Sequence, residues 1–343
     1  MSGRPTIADL AKAAGVSLAT VDRVLNGRQP VREATALRVY DAATAIGFHA
    51  ARLIRHRIIQ DLPDITLGIV LQKPGQAFYQ DLRRALEIAA AAVSSARVRL
   101  LIDFVPQQHP ADVVEKLAQM ATRAQAVAMT SIDHPRITEA VAGMAARGVP
   151  VFSLLSDFAQ GVRQGYVGIN NLRAGRTAAW MIARGLPAGA EIGLFVGGHR
   201  WHGHELRETG FRSFCRESAS GARVLDALVN LETPDLTYEA TLDLMARRPA
   251  LAGIYCAGGG MEGTIQAIRD EGMTRGIALV VNELTEDSRI ALAEGLVALV
   301  IATPLRRLAT EVMSLMLTAV IDRNRQAAGQ IFLPMDLHLP ESL

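Results

Sequence analysis

Apolar residues at helical spacing mark the first 26 positions: Ile7, Leu10 and Ala11, then Val16, Val21, Val24 and Leu25, with polar or charged residues between them. The pattern predicts two short helices, Ile7 to Ala14 and Leu18 to Leu25, packed through these faces. Thr6 precedes the first as an N-cap, with Asp9 as its capping-box partner. Gly15 makes the turn, because a sharp reversal needs a residue that tolerates positive φ. Ser17 caps the second helix, which stops at Asn26-Gly27. Pro30-Val31-Arg32-Glu33 opens a third helix that ends near Gly47, and Leu37, Val39, Tyr40, Ala43 and Ile46 close a three-helix headpiece. Such a unit presents the start of its second helix outward, where it fits the major groove of DNA.

From residue 65 the period changes to short apolar strands alternating with amphipathic helices. The strands are predicted at Ile65–Leu71, Val98–Phe104, Ala126–Thr130, Val149–Leu154, Glu191–Val196, Ala222–Asn230, Ala252–Cys256, Ile277–Val281, Val297–Ile301 and finally Ile331–Leu337. Helices fall between them, among them Asp81–Ser95, Ala111–Arg123, Pro135–Arg147, Leu172–Arg184, Tyr238–Arg247, Gly263–Gly272 and Arg306–Asn324. Alternation of this kind predicts an α/β body of parallel sheets with helices on both faces. The expected division is a helix-turn-helix headpiece over 1–48, a hinge over 49–63 and a two-lobed body over 64–343. Lobe 1 is expected at about 64–163 and 295–325, lobe 2 at about 164–290 and 330–343, with a ligand between them outside the carboxyl ends of the strands.

Composition sharpens this picture in two places. Up to residue 60 the chain has nine Lys or Arg against four Asp or Glu, whereas the remainder has a net charge of −3. A basic head on a mildly acidic body puts the polyanion contact at the N-terminus. The two cysteines, Cys215 and Cys256, lie in apolar segments and are expected as reduced core thiols, not a disulfide framework. The N-terminus lacks the apolar core of a signal peptide, and no apolar run reaches the roughly 20 residues of a membrane span, so no membrane partner and a cytoplasmic location are expected.

Residues 8–26 read Ala-Asp-Leu-Ala-Lys-Ala-Ala-Gly-Val-Ser-Leu-Ala-Thr-Val-Asp-Arg-Val-Leu-Asn. Together with the basic connector and the two-lobed body, this stretch resembles the LacI/GalR (lactose-repressor-type) family of bacterial transcription regulators. The body resembles periplasmic sugar-binding proteins of the ribose-binding type. The resemblance implies a homodimer or dimer of dimers that binds a pseudo-palindromic operator, represses transcription and changes affinity when a sugar, polyol or derivative fills the cleft.

By the same resemblance, Leu18 and Ala19 sit where the family reads base edges, with Arg23 beside them. The first two can make only apolar contacts, such as with a thymine methyl, while Arg23 can take guanine in a bidentate contact. Thr6, Ser17, Thr20 and Asn26 match phosphate-contacting positions. Asp22 departs from the usual Ser; it is expected to turn to Arg23 or Arg28, or to accept from a cytosine amine. Arg57 stands where relatives wedge a leucine into the minor groove. The wedge is then Leu53 or Ile54, with Arg52, Arg55 and Arg57 reaching phosphates or a narrowed minor groove. The alternative for this segment is a solvated basic linker.

In the cleft, the resemblance assigns Phe78 and Tyr79 to stack on a sugar ring and Asp133 to accept from hydroxyls. Arg207 would donate two hydrogen bonds, Glu283 is acidic where relatives are acidic, and Thr303 stands where some carry Gln. Gly258-Gly259-Gly260 replaces an Asn/Asp-bearing loop, so one polar anchor is missing or backbone N–H groups replace it. The His-rich run from Gly197 to His204 offers contacts to an acidic or phosphorylated effector; neutral or solvent-facing His is its default state, and no metal site is expected. The rival function is an enzyme acting on a sugar, with a DNA-binding head. Gly197-Gly198 and Gly258-Gly259-Gly260 are its best support, since each follows a strand and could approach a phosphate. Neither has the spacing of a dinucleotide fingerprint or a P-loop, and no cofactor is expected.

Overall fold

The computed structural model describes residues 5–26, 31–51, 53–54, 62–105, 108–187, 189–218, 221–272, 276–322 and 329–342. The chain divides into two compact units, residues 1–65 with 92–99, and 66–91 with 100–343.

The headpiece comprises α1 (Ile7–Ala14), α2 (Leu18–Asn26) and α3 (Glu33–Ala45). Thr6 and Asp9 form the full capping box, and Gly15 ends α1 in the left-handed region at φ 64°. Ser17 Oγ accepts from the Thr20 amide at 3.1 Å and so starts α2. Leu10, Ala11, Val21, Val24, Leu25, Val39, Ala43, Phe48 and Ile54 form the core, with Val16, Tyr40 and Ile46 packed at its edge. Ile7, expected on the apolar face, is exposed instead, at the first position of α1.

The body is built from two sheets. The strands are β1 (Asp64–Gln72), β2 (Arg97–Val105), β3 (Ala126–Met129), β4 (Val151–Leu154), β5 (Gly165–Ile169), β6 (Glu191–Val196), β7 (Arg223–Val224), β8 (Leu228–Val229), β9 (Leu251–Cys256), β10 (Ala278–Asn282), β11 (Val297–Ala302), β12 (Gly329–Leu333) and β13 (Asp336–His338). The helices are α4 (Ala77–Ala91), α5 (Pro110–Ala121), α6 (Pro135–Ala146), α7 (Asn171–Ala183), α8 (His202–Glu217), α9 (Pro234–Arg247), α10 (Met261–Asp270), α11 (Glu286–Ala293) and α12 (Leu305–Ile321). Lobe 1 carries the sheet β12-β5-β4-β3-β1-β2, and lobe 2 the sheet β13-β11-β10-β9-β6-β7, with β8 also on β6. Pairing is parallel in the ladders β1–β3–β4–β5–β12 and β6–β9–β10–β11; β13 runs antiparallel to β11.

The lobe boundaries differ from the expected ones at three strands. β5 and β12 belong to lobe 1, and β11 belongs to lobe 2. The chain therefore crosses between lobes at Asn170, at Thr303-Pro304 and at Pro334-Met335. The expected strand Ala222–Asn230 is two short strands, and Ile331–Leu337 is divided by Pro334, which cannot donate to a ladder, into β12 and β13. Helix α9 begins at Pro234, four residues before its expected start, because proline suits the first helical turn.

Burial follows from these layers. Val70, Leu117, Val127, Ile137 and Val151 lie in the core of lobe 1, and Trp201, just ahead of α8, packs there too. One face of the lobe 2 sheet is covered by Phe195, Ile254, Val281 and Ile265, the other by Ala178, Ile192, Phe211 and Tyr255. Cys215 and Cys256 are buried free thiols, as expected. Among the described residues no helix is long and apolar enough to cross a membrane.

Candidate functional site

On the headpiece, Leu18, Ala19, Asp22, Arg23 and Asn26 form an exposed face of α2, with Leu18 57% exposed. A leucine left in water at the first turn of a capped helix serves no core, so this face is available for contact. Thr6 and Ser17 are exposed at the two caps, and Thr20 is half-buried beside Ser17. Asp22 pairs with neither expected arginine among the described residues: its carboxylate accepts from the Asn26 amide at 2.5 Å, one helical turn on. Of the two wedge candidates, Leu53 is exposed, whereas Ile54 is wholly buried in the headpiece core. Arg28, Arg52, Arg55 and Arg57 lie outside the described residues.

In the body, the carboxyl ends of the strands of both sheets converge on one cleft. β1 leads to Gln76, Phe78 and Tyr79; β3 to Thr130; β4 to Leu155 and Ser156; β6 to Trp201, His204 and Arg207. β8 leads to Glu232, β9 to Gly258–Glu262, and β10 to Asn282 and Glu283. Lys73, Leu155, Leu231, Glu232 and Glu283, all at or beside this cleft, hold positive φ without being glycine. Strain of this kind persists where surrounding structure over-determines it, typically at ligand clamps.

Arg207 is 6% exposed and firmly oriented. Its Nε donates to Asn171 Oδ1 at 2.7 Å and Nη1 to the Ala257 carbonyl at 2.7 Å, while Nη2 faces Glu283 at 4.0 Å. Glu283 is held in turn by Thr303, whose backbone N–H and Oγ1 both donate to it at 2.8 Å. Burial raises the Glu283 carboxyl, against the pull of Arg207 and the Thr303 donors. Thr303 thus orients Glu283 and does not itself line the cleft.

His204 and Glu232 form a second pair. The Gly197 N–H donates to His204 Nδ1 at 3.1 Å, which leaves the proton of the neutral ring on Nε2, 3.6 Å from Glu232 Oε1. Burial pushes His204 down to about 4, with Glu232 opposing the shift. Burial raises Glu232, but His204, Lys73 and the Gly259 N–H outweigh it, and the carboxyl lies below its ordinary range. A neutral His204 cannot be the decisive counter-charge, so the Lys73 ammonium, 3.0 Å away, dominates. Lys73 also reaches the Leu231 carbonyl, Gln76 donates to the Glu232 carbonyl, and Gln108 donates to its carboxylate, so three lobe 1 residues close on one lobe 2 loop.

Of the residues expected in the cleft, Phe78, Tyr79, Arg207 and Glu283 are brought together. Asp133 is not: its carboxylate accepts from the Ala159 N–H, its own N–H donates to the Arg200 carbonyl, and the cleft position is taken by Thr130. The glycine runs also have a plain structural reason. A Cβ on Gly258 would fall 2.5 Å from the His204 ring, and one on Gly197 would fall 2.5 Å from Glu232. These glycines make room for the His204–Glu232 pair, and the Gly259 N–H is directed to Glu232 at 3.4 Å. Of the histidines in the His-rich run only His204 lines the cleft, together with Trp201 and Gly203; His202 sits beside Glu205. Gln76, Glu232 and Glu262 escaped sequence reasoning, because each lies in a loop or first helical turn with no periodic signal. Among the described residues no cluster of His, Cys, Asp or Glu is arranged to hold a metal ion.

Residues 67–323 match the family model of the periplasmic binding protein domain, and residues 6–50 match that of the bacterial regulatory proteins of the lacI family. The chain is similar to the HTH-type transcriptional regulators GalS of Salmonella typhimurium (24% identity, 78% of this chain and 76% of that protein) and GalR of Escherichia coli (25%, with the same coverage). In fold it resembles a Burkholderia graminis solute-binding protein in complex with D-arabinose (16% identity, TM-score 0.75, 82% of this chain and 97% of that one). It also resembles GanP, a glucose-galactose binding protein from Geobacillus stearothermophilus (14% identity, TM-score 0.74, 82% and 99%). Over most of its length the chain belongs to the periplasmic-binding-protein domain family, and with its lacI-family head it is a LacI/GalR-type transcriptional regulator that binds DNA under small-molecule control.

Proposed function

We propose that the protein is a homodimeric, non-enzymatic repressor that acts in the cytoplasm on a pseudo-palindromic operator, with a monosaccharide-sized effector in the body cleft setting its affinity. The observation that carries this is the cleft itself: Arg207 and Glu283, pre-oriented by Asn171, Ala257 and Thr303, face walls formed by Phe78, Tyr79 and Trp201. A polyol needs such a set, because each buried hydroxyl must find a partner while the ring's apolar face lies on an aromatic one. The sugars named with its fold relatives, arabinose, glucose and galactose, fit this chemistry. On the head, Leu18, Ala19 and Arg23 read bases, and Thr6, Ser17, Thr20 and Asn26 fix register on phosphates. Binding without turnover is supported by the cleft's His204, whose Nδ1 accepts from the Gly197 N–H and whose Nε2 faces Glu232, so that both ring nitrogens already have protein neighbours.

The test is selection of genomic fragments by the purified full chain, followed by fluorescence anisotropy on the selected fragment with and without arabinose, glucose and galactose. One or more sugars should change DNA affinity by about 5–150-fold, the usual range of allosteric coupling. Arg207→Lys, which keeps the charge but loses the fork geometry, should abolish the response while leaving sugar-free DNA binding intact. A response that survives Arg207→Lys unchanged would remove the cleft from the mechanism.

A further inference from the structure

The cleft's charges are unequally satisfied, and this bears on which effectors it admits; the inference rests on the effector reading above. Glu232 is met by Lys73, and Glu283 by Thr303 and Arg207. Both cations already face a carboxylate: Lys73 meets Glu232 and also the Leu231 carbonyl, while Arg207 gives Nε to Asn171 and Nη1 to the Ala257 carbonyl and keeps Nη2, 4.0 Å from Glu283, as its one donor nitrogen open to a ligand. His204 is neutral. Glu262, in the first turn of α10, also lines the cleft and has no cationic or side-chain partner among the described residues. Thr130 lines the same cleft; it is 1% exposed and its Oγ1 has only the neighbouring Tyr79 hydroxyl beside it, which leaves hydrogen-bonding capacity for a ligand.

We infer that the cleft selects by charge: it takes a non-anionic monosaccharide or amino sugar, with Glu262 accepting from a ligand hydroxyl or ammonium and excluding sugar acids and sugar phosphates. An incoming carboxylate or phosphate finds no cation that is not already faced by a carboxylate and adds like charge beside Glu262 and Glu232 in a partly buried site, where Coulomb repulsion is screened far less than in water. The environment agrees, since Glu262 is raised by burial and by the neighbouring Asp287 and Glu232 carboxylates. This excludes the acidic or phosphorylated effector that the His-rich run suggested.

Calorimetric titration of the full chain decides it, with D-galactose, D-galactosamine, D-galacturonate and galactose 6-phosphate, the matching glucose series, and D-arabinose. The neutral or amino member of a series should bind at least about tenfold more tightly than its anionic counterparts. Glu262→Gln should shrink that ratio by about tenfold or more, with thermal melting checking that the variant is folded. An anionic member that binds as well as its neutral counterpart overturns the inference alone, whatever the variant does. So does a ratio unchanged in folded Glu262→Gln. Binding by no member overturns the inference and the sugar reading of the cleft together.

Discussion

The α7–α8 contact offers a sharp test of how the cleft is held. Gly175 in α7 lies so close to α8 that a Cβ there would stand 1.9 Å from the Arg207 carbonyl oxygen and 2.9 Å from its Cα. Ordinary non-bonded separation is ~3.5 Å, so Gly175→Ala must part the helices locally by roughly 1.5 Å. Alanine favours the helix by about 1 kcal/mol, while overpacking costs about 1–3 kcal/mol, at the upper end here because the obstacle is backbone and cannot rotate away. We expect a net loss of about 2 kcal/mol. The same displacement pulls Arg207 from Asn171 and the Ala257 carbonyl, both now at 2.7 Å, so effector affinity should fall as well. The chain's two tryptophans, Trp180 in α7 and Trp201 at the start of α8, report urea unfolding of this region by fluorescence. Gly143→Ala in α6 is the control: nothing lies within 4 Å of its would-be Cβ, and it should stabilise by about 0.5–1 kcal/mol. If both variants shift the midpoint alike, close helix approach is not what Gly175 provides.

Two further outcomes follow from the buried polar groups. His204 titrates at about 4 in the folded protein against 6.5 ordinarily, facing Glu232, Arg207 and Lys73. Its contribution is intact above pH ~6.5 and is lost as pH falls towards ~4, amounting to roughly 3 kcal/mol; urea midpoints between pH 7.5 and 5 should show the loss, and His204→Asn should flatten the slope. A wild-type midpoint independent of pH over that range would refute the burial of a neutral imidazole. Thr303→Val keeps the backbone donor to Glu283 but removes the hydroxyl one, and a lost hydrogen bond to a buried charge should cost about 1.5–3 kcal/mol and weaken sugar binding in calorimetry. Unchanged sugar affinity would deny Thr303 its orienting role.

Legibility in the sequence followed locality. The headpiece was readable almost residue by residue, because caps, a positive-φ glycine and helical spacing act within a few positions of one another: Thr6–Asp9, Gly15 and Ser17 all perform the expected local task. The alternation of strands and helices was equally visible. Which sheet each strand joins was not, since β5, β11 and β12 are apolar enough to complete either sheet, and only partners far along the chain decide. In the cleft, Arg207 and Glu283 came from the family resemblance, whose positions at a helix start and after a strand end match the sequence here, and the structure brings both to the cleft. Glu232 was hidden in a loop between a two-residue strand and a proline-started helix. Asp133 misled because loops, unlike strands, do not fix which residue faces inward; three residues earlier, Thr130 does.

The crossovers make this more than a matter of bookkeeping. Any rotation of one lobe against the other is absorbed at Asn170, Thr303-Pro304 and Pro334-Met335, because only there does the chain pass between sheets. Thr303, the residue after β11, is the one that grips Glu283, and Asn171, the residue after the first crossover, is the one that accepts from Arg207 Nε. The two charged groups best placed to touch an effector are therefore fastened to segments that must bend. A ligand shifts an equilibrium only through contacts that differ between its states. Here such contacts need no relay through the lobe cores: pulling on Arg207 or Glu283 loads Asn171 and Thr303 directly, whereas a ligand resting only on Phe78 and Tyr79 would grip lobe 1 and leave both crossovers indifferent.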